Sequence, residues 1–149
     1  MLYILDYLKI RKNYKKGIAI GCLISIAYIV IKLAVGYLSK NLKINFDIGL
    51  MWWIGGITVG FIEEIPLRGF LLTKLESKIN FTLSNIIVTI IFVMMHFPKW
   101  IAIGTFIIPA SIKIAIVSLL FGYLVKRYDS LWVTIICHSV FDICYFIGL

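Results

Sequence analysis

The chain has 149 residues, is 62% hydrophobic and carries a formal net charge of +8. That composition excludes an ordinary soluble domain, and no polar stretch is long enough to separate two units, so one compact helical membrane domain is expected. The positive charge does not imply nucleic acid, because the basic residues sit in short clusters between apolar runs, where they orient helices and meet anionic lipid head groups.

Residues 1–17 hold Lys9, Arg11, Lys12, Lys15 and Lys16, followed by an apolar run from Ile18 to Leu38. The run is long enough to span a bilayer and no small-residue cleavage site closes it, so it reads as a retained first helix behind a basic, cytoplasmic N-terminus. Lys32, near its end, can snorkel to the interface. A second span is expected from Asp47–Ile48 to about Leu72, followed by a polar turn over Lys74–Lys78. A third covers Phe81–Phe97, with Pro98 and Lys99 expected to stop it. Trp100–Ile108 is too short to cross and reads as a re-entrant or interfacial segment. The fourth span is expected at Ser111–Val125, closed by Lys126 and Arg127, and the fifth at Leu131–Ile147. The transmembrane domain thus covers 18–149. The basic clusters favour the N-terminal side as cytoplasmic, although Lys40, Lys43 and Lys99 fall on the other side. Cys22, Cys137 and Cys144 lie inside apolar runs without a CxxC pair, as small packing residues would.

The stretch Phe61–Phe70 (FIEEIPLRGF) stands out because it places Glu63, Glu64 and Arg68 deep in an apolar run. Ionisable groups at that depth cost about 2.5–3.5 kcal/mol each on insertion scales, which marks them as functional candidates. Glu64 and Arg68 are spaced i,i+4 and can pair on one helix face, leaving Glu63 to face elsewhere. Pro66 has no N–H and should kink the helix there. At the helical rise, Glu63 and Asp142 come out at about 15 Å from the cytoplasmic end of their spans, His138 at about 10 Å and His96 at about 20 Å. One slab of membrane therefore collects both histidines of the chain and two carboxylates. His138 and Asp142, also i,i+4, share one face of the last span.

Carboxylate and imidazole meeting in a dry pocket suit the activation of water. Other membrane-protease patterns are missing: there is no HExxH, no serine motif with a usable histidine (Ser139 points about 100° away from His138), and no Gly-x-Gly-Asp. Each residue alone has an ordinary structural reading. A Glu–Arg pair can be a lock, a single histidine can be a core residue, Phe92 and the tryptophans Trp52, Trp53, Trp100 and Trp132 can simply pack, and Gly55, Gly56 and Gly60 can let helices approach.

Taken together, Glu63-Glu64-x-x-x-Arg68, Phe92-x-x-x-His96 and His138-x-x-x-Asp142 resemble the three-motif signature of the CPBP intramembrane proteases, the ABI-type family of the type II CAAX prenyl endopeptidase. Gly69 and the Tyr128–Trp132 lead-in to the last motif extend the resemblance, which covers about residues 56–147. It implies an all-helical membrane fold with a conical cavity and a hydrolytic site inside the membrane; the apolar runs make this chain an all-α, polytopic bundle of about five spans, fewer than many relatives have. It further implies Glu63 as the base that activates water, His96 as a group that positions it, and His138 with Asp142 on the oxyanion side. Glu64, Arg68 and Phe92 would support the site or meet a substrate carboxylate. If a metal such as Zn2+ is used, Glu63, His96 and His138 would supply three ligands; a metal-free glutamate mechanism is the other option. The chain departs from the family pattern in Leu67, where an aromatic or bulkier residue is usual, and in Asp142, where Asn is commoner. The expected function is an intramembrane endopeptidase acting on a membrane-associated peptide or protein. The alternative is a non-catalytic membrane-binding or scaffold protein, such as a bacteriocin self-immunity protein. The Lys- and Ile-rich composition points to a bacterial plasma membrane, with lipid and a peptide or membrane protein, and no nucleic acid, as partners.

Overall fold

The computed structural model describes residues 2–149. In chain order it contains α1 (Leu2–Tyr7), α2 (Tyr14–Leu38) and α3 (Leu50–Glu64), the last continuing into a π-helical segment at Ile65–Leu72 and a short α4 (Thr73–Glu76). Then come α5 (Phe81–Ala102), α6 (Ile107–Tyr128) and α7 (Trp132–Phe146), with no strand among the described residues. The fold is an all-helical polytopic bundle. Among the described residues, four helices are long and apolar enough to cross a membrane: Tyr14–Leu38, Leu50–Glu76, Phe81–Ala102 and Ile107–Tyr128.

The fifth apolar helix, α7, has only 15 residues, or about 22 Å at the helical rise, less than the roughly 30 Å hydrocarbon core. It can be short because protein covers both its ends. Leu131 donates its N–H to the Lys9 carbonyl, and the Trp132 indole N–H reaches the Ile10 carbonyl at 2.8 Å. Beyond its C-terminus, the Ile147 carbonyl accepts from the Asn45 N–H at 2.9 Å. Between these ends α7 is flanked by α2 and α3, and Val133, Thr134, Ile135, Cys137, His138 and Cys144 are buried. A helix buried in this way needs no polar face.

Small residues make the flanking close. On α3, a Cβ at Gly60 would collide with the Ile135 carbonyl oxygen, and the Ser139 hydroxyl donates to the Ile57 carbonyl at 2.8 Å. Gly56 faces Ile143 in the same seam. Gly55 does not share this role: nothing lies within 4 Å of its would-be Cβ, because one residue of helix rotation turns it away from α7.

The structure corrects the boundary expected at Pro98. Helix α5 passes through Pro98 to Ala102, so Trp100–Ile108 is no re-entrant segment but the end of α5, a turn, and the start of α6. Proline here falls in the final turn and removes only the bond its N–H would have made one turn back. Two residues on, Trp100 is buried and packs on the rings of His96 (5.4 Å between centroids) and Phe97 (5.8 Å), which holds that turn helical. Gly104, at φ +67°, then reverses the chain, and the Thr105 N–H returns to the Trp100 carbonyl at 2.9 Å. At its other end α5 is capped by Asn80, whose side-chain oxygen accepts from the Leu83 N–H at 2.9 Å. The fourth span is correspondingly longer than Ser111–Val125.

The N-terminal basic segment, Glu76 and the α6–α7 turn meet at one end of the bundle. Lys9 and Lys12 pair with Asp129, and Lys126 pairs with Glu76. Cys22 is exposed, Cys137 and Cys144 are buried, and all three are free thiols. The close seam generates a comparison within one helix. Gly60→Ala should destabilise the detergent-solubilised protein by about 1–3 kcal/mol through overpacking. Gly55→Ala should be neutral or stabilising by up to about 1 kcal/mol through helix propensity. Thermal unfolding of the two variants against wild type checks the difference.

Candidate intramembrane active site

The site begins where α3 gives way to the π-helical segment. Pro66 cannot donate to the Ile62 carbonyl, and the chain responds by widening its turn over Ile65–Leu72 rather than by breaking. The Arg68 carbonyl accepts a bond from the Thr73 hydroxyl at 3.4 Å, which compensates part of the altered backbone pattern. Segments of this kind are frequent at functional sites, and this one carries Arg68 while Glu63 and Glu64 sit on the turn before it.

Glu64 and Arg68 are both fully buried, with side-chain exposure of 0%, and Arg68 Nη1 donates to Glu64 Oε1 at 2.9 Å. The i,i+4 pairing expected from the spacing is therefore made. The guanidinium is also held from α6, where Nη2 donates to the Ser118 hydroxyl at 2.6 Å, and that hydroxyl lies 2.9 Å from the hydroxyl of Thr89 on α5. The rings of Phe92 and Phe121 lie 4.4 and 5.9 Å from the guanidinium carbon. Such packing suits a desolvated arginine, whose planar cation stacks on aromatic faces. It also closes Arg68 off from the surface, so Phe92 is buried against the cation rather than lining an open wall.

The second partner of Glu64 comes from α7. His138 Nδ1 lies 2.8 Å from Glu64 Oε1, the same oxygen that accepts from Arg68. An ionised carboxylate only accepts, so Nδ1 carries the hydrogen, and the ring is oriented with Nε2 away from Glu64. Nε2 faces Glu63, whose Oε2 lies 3.7 Å away. Glu63 is 25% exposed against 10% for His138 and 0% for Glu64. The three groups thus form a line from the sealed interior toward an accessible edge. Two carboxylates and one guanidinium leave the cluster with one negative charge when His138 is neutral, and with none when it is protonated.

His96 joins this group at one remove. Its Nδ1 donates to the Phe92 carbonyl at 2.8 Å, and its ring meets Phe92 edge-on at 4.8 Å between centroids; the other edge-on neighbour of Phe92 is His138, at 5.9 Å. With Nδ1 committed to a carbonyl, Nε2 of His96 is left as an acceptor. Asp142, one turn beyond His138, is half-buried and makes no side-chain hydrogen bond or ion pair among the described residues. The donor set suggested for a metal is not gathered: among the described residues, no group of three or more His, Cys, Asp or Glu side chains could hold an ion. Glu63 and His138 converge, while His96 has one ring nitrogen, Nδ1, committed to the Phe92 carbonyl.

Sequence reasoning did not find Ser118, Thr89 or Phe121, which complete the surroundings of Arg68. A signal existed for two of them, since Thr89 and Ser118 interrupt apolar runs near mid-span. A buried guanidinium with five donors needs more acceptors than one carboxylate offers.

A family model described as type II CAAX prenyl endopeptidase Rce1-like matches residues 45–144, from the loop before α3 to near the end of α7. No curated protein and no solved structure matches the chain significantly.

The Glu64–Arg68 lock makes a stability prediction. Arg68→Ala leaves the Glu64 carboxylate buried beside one imidazole and should cost about 3–5 kcal/mol. Arg68→Lys should recover only part of this, because a lysine cannot reach Glu64 and Ser118 with a planar fork. Denaturant or thermal unfolding in detergent measures both.

Proposed function

The chain belongs to the type II CAAX prenyl endopeptidase Rce1-like family, and on that premise we propose that it is an intramembrane endopeptidase in which Glu63 activates water for attack on a membrane-associated peptide. The observation that carries this reading is the state of Glu63. Its Oε2 is buried and has no hydrogen-bond partner among the described residues, yet it faces His138 Nε2 at 3.7 Å. A free acceptor beside an oriented imidazole at the accessible edge of a buried charge cluster suits a water held by both groups. Contacts of about 2.8 Å from each to one water oxygen are compatible with that separation.

The residues then divide the work. Glu63 takes a proton from water as its oxygen attacks the scissile carbonyl carbon. His138, held through Nδ1 by Glu64, presents Nε2, and in its protonated form Nε2–H donates to the oxygen on which negative charge develops. That agrees with the oxyanion role the resemblance implies for this residue. Asp142, on the same face of α7, would assist there, as a donor when protonated or by orienting His138 when ionised. His96 offers the acceptor lone pair of Nε2 to the water's second hydrogen. The proton taken by Glu63 passes to the leaving amine when the tetrahedral intermediate collapses. The burial of Arg68 favours it as a lock on Glu64 over a clamp for a substrate carboxylate.

No step is assigned to a metal, because the residues present do not assemble a three-donor group. The substrate is proposed as a membrane-associated peptide or protein, and the family description makes a prenylated CAAX peptide the natural probe. The clustering of Lys9, Lys12, Lys126 and, around α4, Lys74 and Lys78 at one end supports a cytoplasmic N-terminus in a multi-pass membrane protein.

The test is cleavage of a fluorogenic farnesylated CAAX peptide by the protein in proteoliposomes. Glu63→Gln keeps size and hydrogen bonding while removing the base, and should lower the rate by at least about 10²–10⁴-fold, the range attributed to general-base catalysis. Undiminished cleavage by that variant would remove Glu63 from the mechanism. A chelator should leave wild-type cleavage unchanged; activity lost on chelation and restored by zinc would instead assign Glu63, His96 and His138 to a metal.

A further inference from the structure

The proposed chemistry uses groups on α3 and α7 together with His96 of α5, and the helix pair α5–α6 also touches the same cluster through one hydrogen-bonded chain. The hydroxyls of Thr89 and Ser118 are 2.9 Å apart, Ser118 Oγ accepts from Arg68 Nη2 at 2.6 Å, and Arg68 Nη1 donates to Glu64 Oε1 at 2.9 Å. Glu64 Oε1 then accepts from His138 Nδ1 at 2.8 Å. This chain ties α5, α6 and α7 to α3 and its π-helical continuation, and every member but His138 is at most 5% exposed.

Geometry gives the chain a definite job. Glu64 Oε2 and Arg68 Nε are buried without hydrogen-bond partners among the described residues, so the carboxylate and the guanidinium meet by a single bond, not by the two parallel bonds that would fix their relative orientation. A singly bonded fork can pivot about that contact. What stops it is the other nitrogen, Nη2, anchored on Ser118, while the rings of Phe92 and Phe121, 4.4 and 5.9 Å from the guanidinium carbon, crowd its other sides. Ser118 is in turn seated by Thr89 from the neighbouring helix. We propose that Ser118, seated by Thr89, is a positioning residue that holds the Arg68 fork, and through it Glu64 Oε1, so that His138 keeps Nε2 directed at Glu63. Loss of the anchor lets the pair rotate toward a two-bond arrangement, which withdraws Oε1 from His138 and frees the imidazole to turn.

This inference rests on the endopeptidase reading for its catalytic consequence, but the positioning itself can be read without turnover. The chain has two histidines, so protein labelled with ¹⁵N at the imidazole nitrogens gives two ring systems, separable by a His96→Gln control. In detergent micelles, Ser118→Ala and Thr89→Val should both move the His138 ring nitrogens and leave those of His96 in place. Thr89→Ser, which keeps the hydroxyl, should restore the wild-type positions. In the farnesylated-peptide assay the first two variants should lower kcat roughly tenfold to a hundredfold, as lost orientation of a reacting group does, with KM unchanged. His138 signals that stay put in Ser118→Ala and Thr89→Val, or Thr89→Ser behaving like Thr89→Val, would overturn the proposal. If Ser118→Ala fails to fold, the isosteric Thr89→Val and its Thr89→Ser partner carry the test. Moved His138 signals in a protein whose wild type does not cleave the probe would uphold the positioning role and count against the endopeptidase reading instead.

Discussion

One oxygen atom organises this bundle. Glu64 Oε1 accepts from Arg68 on one side and from His138 on the other, in surroundings that admit no solvent to either Glu64 or Arg68. A carboxylate in such a place is tolerable only if paired, and a guanidinium only if its donors are met. The two together dictate what must surround them: a hydroxyl at Ser118, aromatic faces at Phe92 and Phe121, and an imidazole arriving from α7. The packing of four helical elements follows from satisfying one buried ion pair, and the position of His138 is a by-product of that satisfaction. Glu63, the neighbour in sequence, is left outside the arrangement with an uncommitted oxygen, the condition that its proposed role as a base requires.

Much of this arrangement is legible in residue spacing alone. The separation of Glu64 and Arg68 implies their bond, since only i,i+3 and i,i+4 residues meet on a helix. The divergence of Glu63 from that pair follows from 100° of rotation, and the placement of His138 near both from similar depths in two spans. Depth works as a predictor here because the bilayer fixes helix direction closely enough for residue counts to become heights. The three-motif resemblance and the matched family agree with this arrangement at the level of the fold and the protease family.

What the sequence hides is lateral. Height says nothing about which neighbour a helix takes, so the contact of Arg68 with Ser118, 50 residues away, has no local signature. Pro98 misleads for a related reason: a proline ends a helix when nothing holds the next turn, and burial of Trp100 is a tertiary fact. The glycines show the same limit. Gly56 and Gly60 face α7 while Gly55 faces outward, a distinction of one residue that only the choice of partner helix decides. His96 stands beside Phe92, one turn along α5, yet its Nδ1 is bonded to the Phe92 carbonyl, a commitment that the motif spacing does not reveal.

The location of α7 has a consequence for how the protein is made. This helix follows α2 and α3 in synthesis, yet it lies between them, and its first residues bond to backbone that precedes α2. The two earlier spans therefore cannot complete their mutual packing in the membrane until the later one arrives to fill the gap. Glu63 and Glu64 wait in an unfinished groove while α5 and α6 are produced, and their histidine partner is delivered with the helix that seals it. Insertion into the bilayer and assembly of the buried charge cluster are thereby separate events, and a chain interrupted before α7 holds its carboxylates without the imidazole that pairs with them.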